Sequence, residues 1–209
     1  MLVSIENIAD DVLLGLWKME EEPSLKVREK ERKAVRELVA AMLNCDDSFG
    51  GQTKADYVEI GHEESGKPLL DGWHISISHT RGYVAVMLSK TREVGVDIEY
   101  VSERIKRIAD RFLRADEHAE SVNELLIHWC AKETIYKLYS EQDLTFQQMK
   151  VVDLKYGTSS QTRDCERLSF HVESESSDGV GASIEVFYRI NADYVLTFAY
   201  SEEKQIDIK

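Results

Sequence analysis

The chain has 209 residues, 43% of them hydrophobic and 9% aromatic, enough to bury one sizeable core or two small ones of about 100 residues each. That composition excludes intrinsic disorder, and the longest apolar runs, at 12–14 and 83–88, fall far short of the roughly 20 residues that cross a bilayer. With 39 acidic residues against 26 Lys and Arg the net charge is −13, which repels nucleic acid and anionic membrane, so an anionic ligand needs a local basic patch.

At the N-terminus Glu6, Asp10, Asp11 and Glu20 to Glu22 precede any basic cluster, the reverse of a secretory signal or an Arg-rich transit peptide, and the expected location is the cytoplasm. A helical pattern over 28–43 overlaps the first cation cluster, where Lys26, Arg28, Lys30, Arg32, Lys33 and Arg36 face only Glu29 and Glu31. A strand is expected at 57–60, followed by a hairpin of 74–79 with 83–89 turned at Thr80-Arg81-Gly82, then an alternating strand at 94–100. A second cation cluster follows, with Arg104, Lys106, Arg107, Arg111 and Arg114 against Asp110. Read as one helix, Arg104, Arg107, Arg111 and Arg114 fall within an arc of about 80°, and Ile105, Ile108, Ala109, Phe112 and Leu113 fill a separate apolar arc.

The second half repeats the order of the first. A helix at 122–139 precedes a strand at 150–154, a loop at 173–181, and a pair of strands, 183–190 and 194–201, joined through Asn191-Ala192-Asp193. The fold class expected is α+β, in two similar halves (1–98 and 99–209) about a pseudo-twofold axis with the active site in the cleft between them. Cys45, Cys130 and Cys165 are odd in number and too far apart for a C-x-x-C motif, which makes them reduced thiols.

Chemistry concentrates on two of these elements. In the strand at 94–100, Val94, Val96, Ile98 and Tyr100 take one face while Gly95, Asp97 and Glu99 take the other, so two carboxylates project side by side. On the helix at 122–139, Val122, Leu125, Leu126, Trp129 and Tyr136 form an apolar stripe with Glu133 in its middle and Lys132 and Lys137 at its edges. A carboxylate on a buried face neutralises or finds a cation, and Lys137 stands one turn on. Asp97, Glu99 and Glu133, with no Cys or His pattern beside them, make a hard oxygen set suited to Mg²⁺. Lys67, Lys137 and the first cation cluster would hold the rest of a polyphosphate, which points to phosphoryl transfer or pyrophosphate cleavage. The competing reading is a Mg²⁺-dependent phosphodiesterase or nuclease, and the net charge of −13 opposes a polynucleotide substrate.

Gly66-Lys67-Pro68, Ile77-Ser78-His79-Thr80, Gly95-Val96-Asp97-Ile98-Glu99 and Trp129-Cys130-Ala131-Lys132-Glu133-Thr134 with Lys137 resemble, in order, the motifs of 4′-phosphopantetheinyl transferases of the surfactin (Sfp) type. The departures are Thr80, where a second serine is common, and Cys130 and Thr134 in place of other small residues.

The resemblance implies a monomeric enzyme that moves the phosphopantetheine arm of coenzyme A onto a serine of an apo acyl or peptidyl carrier protein and releases adenosine 3′,5′-bisphosphate. It implies Asp97, Glu99 and Glu133 as Mg²⁺ ligands, with Glu133 and Lys137 at the reacting phosphates. Lys137, Lys67, Ser78 and His79 are expected to bind the coenzyme, with Arg36 on its 3′-phosphate and Arg32 and Arg28 on nearby turns. Glu117 is the expected general base, with adjacent Asp116 or a water at the metal as the alternatives. The face of Arg104, Arg107, Arg111 and Arg114 is expected to dock the acidic carrier, with no nucleic acid or membrane as partner. A non-catalytic carrier-binding module would be expected to break the carboxylate triad, which is whole here.

Overall fold

Two antiparallel sheets, each with one long helix in its own unit, carry most of the described residues. In the computed structural model, residues 1–45, 58–155, 166–172 and 182–202 are described. They divide into one unit of Met1–Val96 with the chain from Tyr200 onward, and a second of Asp97–Ala199. This is the α+β class expected, and the boundary falls inside an alternating strand.

In the first unit β1 (Leu2–Ala9), β2 (Val12–Lys18), β5 (His74–Thr80) and β6 (Tyr83–Ser89) form a sheet in the order β1-β2-β6-β5. The β5–β6 hairpin falls where alternation and the Thr80-Arg81-Gly82 turn predict it, with Gly82 at φ +82°. The turn between β1 and β2 places Asp11 at φ +62°, and its carboxylate accepts from Ser89 Oγ at 2.8 Å, Thr91 N at 2.9 Å and Thr91 Oγ1 at 2.7 Å. A short two-stranded ribbon, β3 (Gly61–His62) with β4 (Pro68–Leu69), follows α1 (Val27–Asn44). Val58 to Ile60, expected as strand, is irregular, and residue 57 lies outside the described residues. β1 and β2 were not anticipated.

α1 begins where Glu29 Oε2 accepts from the Lys26 amide at 2.9 Å, relieving one of the donors that a helix start leaves unpaired. Ala34, Val35, Leu38, Val39 and Met42 repeat at helical spacing and bury against Leu13, Ile75, Val84, Val86 and Leu88. Gly15 is the contact that lets α1 come so close to β2. A Cβ there would stand 2.5 Å from Met42 Sδ and 2.9 Å from Leu38 Cδ1.

In the second unit the sheet runs β7-β11-β10-β9-β8, with β7 at Val94–Tyr100, β8 at Met149–Lys155, β9 at Glu166–Val172, β10 at Ala182–Ile190 and β11 at Tyr194–Tyr200. β9 was not anticipated, and the loop expected at 173–181 lies outside the described residues. α3 (Val122–Leu138) starts on a reciprocal capping box: Ser121 Oγ accepts from Glu124 N at 3.2 Å and Glu124 Oε2 accepts from Ser121 N at 3.0 Å. It is buried around most of its circumference, with Leu125, Leu126, Ile127 and Ile135 packed with Phe112, Met149, Val186 and Val195.

The single helix expected at 104–114 does not form. Glu103–Arg107 is a 3-10 turn, Ile108 leaves helical geometry at φ −122° and ψ 7°, and α2 spans only Ala109–Phe112. Among the described residues no helix is long and apolar enough to cross a membrane.

Gly15→Ala is expected to lower stability by about 1–3 kcal/mol through overpacking against Leu38 and Met42, read by chemical denaturation. An unchanged midpoint would show that the Met42 side chain yields at no cost.

Candidate active site

β7 and α3 bring the expected carboxylates into one electrostatic neighbourhood of the second unit. Asp97 is 5% exposed on β7, and Lys137, from the last turn of α3, donates to its Oδ1 at 2.8 Å. Lys137 therefore reaches across to the strand and does not simply pair with Glu133 on its own helix. The Glu133 carboxyl is pushed up from its ordinary range by burial first and by the negative charges of Asp97 and Glu99, with Lys137 opposing. Beneath them the Cys130 thiol is fully buried, and burial and the same two carboxylates push its pKa well up, so it is inert packing. Thr134 Oγ1 lies 2.7 Å from Thr197 Oγ1, tying the same helix to β11.

Among the described residues no three of His, Cys, Asp and Glu stand close enough together to hold a metal ion by themselves. The donor chemistry nonetheless fits Mg²⁺. All three donors are hard oxygens, the charges of Asp97 and Glu99 destabilise the Glu133 carboxylate, and Mg²⁺ takes few protein ligands because it keeps waters and substrate phosphates.

The stripe around Glu133 differs in two places from the helical-wheel reading. Tyr136, expected in the apolar stripe, is 41% exposed, and Lys132, expected at its edge, is fully buried. Its ammonium donates to Glu117 Oε2 at 2.6 Å, to the Phe112 carbonyl at 2.7 Å and to the Phe146 carbonyl at 3.3 Å. Glu117 Oε2 also accepts from the Arg114 amide at 2.8 Å, Oε1 accepts from the Val151 amide at 2.8 Å, and His128 Nδ1 stands 3.6 Å from Oε1. Burial alone would raise the Glu117 pKa, but the nearby His128 and the hydrogen bonds from Lys132 and the two amides outweigh it and bring it down to about 2. That arrangement departs from the poised proton acceptor expected of Glu117. Asp116 is occupied as well: Arg114 Nε donates to it at 2.9 Å and Lys150 Nζ at 2.6 Å, and both hold its pKa low.

Arg114 thus leaves the expected docking face. Its side chain is 16% exposed and turned to Asp116 and the Gln147 carbonyl, whereas Arg104, Arg107 and Arg111 remain exposed and are joined by Lys106. The cause is the break at Ile108, which removes the continuous wheel on which the four arginines lined up.

In the first unit a cavity of about 630 Å³ opens beside α1. Arg28, Arg32 and Arg36, four residues apart and hence on one helix face, line it with His62 and His79. Ligand pockets commonly run from about 300 to 1,000 Å³. Of the expected coenzyme contacts, Arg32, Arg36 and His79 meet here. Ser78 does not line the cavity: strand alternation turns it to the opposite face of β5 from Ile77 and His79, where it is buried. Lys67 lies 3.7 Å from Glu93, which also sits 3.1 Å from His74 Nδ1, while its neighbours Gly66 and Pro68 line the cavity. Gly66 holds φ +89° in the β3–β4 turn, a conformation that favours glycine.

Two ionisable residues of the cavity lining escaped the sequence reading as site residues, Glu31 and His62. Glu31 Oε1 lies 3.4 Å from His79 Nδ1, and its position three residues after Arg28 on the same helix face was a readable signal. His128 and Lys132, one turn apart on α3, were readable as sharing a face, but their burial was not.

Because the Glu117 pKa is depressed in the folded chain, its charged form stabilises the fold fully above the ordinary glutamate value near 4.5, and that contribution is lost as pH falls toward 2. Thermal unfolding of the native chain should lose stability across this window more steeply than Glu117→Gln does. Parallel curves would remove Glu117 from the acid response.

Among curated proteins no relative matches the chain. A family model described as the 4′-phosphopantetheinyl transferase superfamily matches residues 93–199, which include Asp97, Glu99, Glu133 and Lys137. The match extends over just over half of the chain, and the chain belongs to the 4′-phosphopantetheinyl transferase superfamily.

Proposed function

We propose that the chain transfers the 4′-phosphopantetheine arm of coenzyme A to a serine of an apo acyl or peptidyl carrier protein, in the manner of the surfactin-type enzymes its motifs resemble. The observation that carries this reading is the Asp97–Lys137 ion pair beside a raised Glu133 inside the family segment. A set of mutually repelling oxygens with one lysine suits a divalent ion and a pyrophosphate together. Asp97, Glu99 and Glu133 would hold Mg²⁺, which when bound would polarise the pyrophosphate and neutralise charge on the departing bisphosphate.

The remaining roles fall to the chain's own groups. The serine oxygen forms a bond to the phosphorus that carries pantetheine, the bridging P–O bond breaks, and the serine proton is released with adenosine 3′,5′-bisphosphate. Lys137 lies next to Asp97 and would bind the bridging phosphates and support the leaving oxygen. Arg36, Arg32 and Arg28, with His79, line a cationic cavity wall suited to the 3′-phosphate. Exposed Arg104, Lys106, Arg107 and Arg111 offer an acidic carrier a docking face despite the net charge of −13. A location in the cytoplasm and a monomeric state accord with the same reading.

Incubation with coenzyme A, Mg²⁺ and an apo carrier protein should add the phosphopantetheine mass to the intact carrier. No gain on any apo acyl or peptidyl carrier would overturn the reading. Glu133→Gln is expected to stay folded, to lose transfer by at least about 10²-fold, and to lack the Mg²⁺-dependent rise in Tm expected of the native chain. An unchanged Mg²⁺ response would remove Glu133 from the metal site.

Arg36→Ala should raise KM about tenfold for coenzyme A and far less for 3′-dephospho-coenzyme A, since the lost contact exists only with the 3′-phosphate. Equal losses for the two would place Arg36 elsewhere on the ligand.

A further inference from the structure

Glu117 and Lys132 are the most deeply buried charged pair among the described residues, with both side chains at 0% exposure. The ammonium has three donors, and all three are used, on Glu117 and on the carbonyls of Phe112 and Phe146. The carboxylate accepts from Lys132, Arg114 N and Val151 N, and His128, itself 4% exposed, stands 3.6 Å from Oε1. A general base must come within about 2.6–3.2 Å of the proton it takes, and a fully enclosed carboxylate offers an incoming serine hydroxyl no approach.

What the cluster does hold is three pieces of backbone. Phe112 and Arg114 end the segment whose earlier residues, Arg104, Lys106, Arg107 and Arg111, carry exposed cations. Phe146 and Val151 belong to the turn into β8 and to β8 itself. Lys132 and His128 belong to α3, where the next residue after Lys132 is Glu133. The aromatic rings reinforce the same joint, with Trp129 packed edge-on against Phe112 at 5.4 Å and tilted against Phe146 at 5.3 Å.

We propose that Glu117, Lys132 and His128 form a buried latch that sets the register of the cation-bearing segment 104–114 on α3 for carrier docking, with Glu117 a positioning residue that takes no proton from the serine. The docking half of this statement rests on the carrier-transfer reading above. The latch itself rests only on the geometry of the second unit.

The test is a cycle of Glu117→Gln, Lys132→Met and the double variant, followed by transfer to an apo carrier, calorimetric binding of coenzyme A without carrier, and thermal unfolding. Each single change strands one buried partner, so each should lower Tm by roughly 10 °C and raise KM for the carrier about tenfold or more. The Kd for coenzyme A and the acid limb of the kcat/KM profile should not move. The double variant, which leaves no uncompensated charge, should recover most of both losses.

If Glu117→Gln instead abolishes the acid limb with a kcat loss of about 10²–10⁴-fold that Lys132→Met does not relieve, Glu117 is a base and the proposal falls. If Tm drops while KM for the carrier stays put, the cluster is structural and the docking role falls. Should the native chain modify no carrier, the carrier-transfer reading and the docking role fail together. The unfolding cycle then judges the latch alone, and additive losses of Tm in the double variant would overturn it.

Discussion

A lysine with no exposed surface holds the second unit of this protein in register. Lys132 sits on a helix that is buried around most of its circumference, and a buried ammonium there survives only because a carboxylate and two carbonyls surround it. Those acceptors come from two separate stretches of chain, so satisfying one cation fixes the 112–117 segment and the approach to β8 on α3 at once. The neighbouring side chain, Glu133, then emerges on the part of the helix that meets the charges of Asp97 and Glu99. One helix thus carries a neutralised ion pair and an unbalanced cluster of negative charge on successive residues.

That contrast separates structural charge from chemical charge. Glu117 accepts three hydrogen bonds and is driven down in pKa, the mark of a group whose ionisation supports the fold. Glu133 is driven up by burial and by like charge, so a cation beside it would favour its charged form. Lys137 relieves part of that imbalance through Asp97, and a metal with its phosphate ligands would relieve the rest.

Net charge says little about either ligand. The chain is strongly acidic, yet α1 lines its cavity with three arginines on one face, and the segment after β7 exposes four cations within eight residues. Within a Debye length of about 8–10 Å the local set governs what binds, and the distant acidic residues are screened. Glu31 tempers the cavity from inside, since it faces His79 among the arginines.

Short-range periodicity made several elements legible in the amino-acid order alone. Alternation over Val94–Tyr100 placed Asp97 and Glu99 on one strand face, the β5–β6 hairpin followed its turn residues, and the apolar spacing of α1 and α3 gave their bounds to within a residue or two. Asp97, Glu133 and Lys137 were expected as site residues from type and order; in the structure Asp97 pairs with Lys137, and both act electrostatically on Glu133. Partner choice was decided by the tertiary structure. Lys137 takes Asp97 from β7, Lys67 meets Glu93, Lys132 takes Glu117, and Arg114 abandons the surface for Asp116. A charged side chain reaches several ångströms and pairs with whatever the packing of distant segments delivers, and a helical wheel holds only while the helix continues. Ile108 ended it.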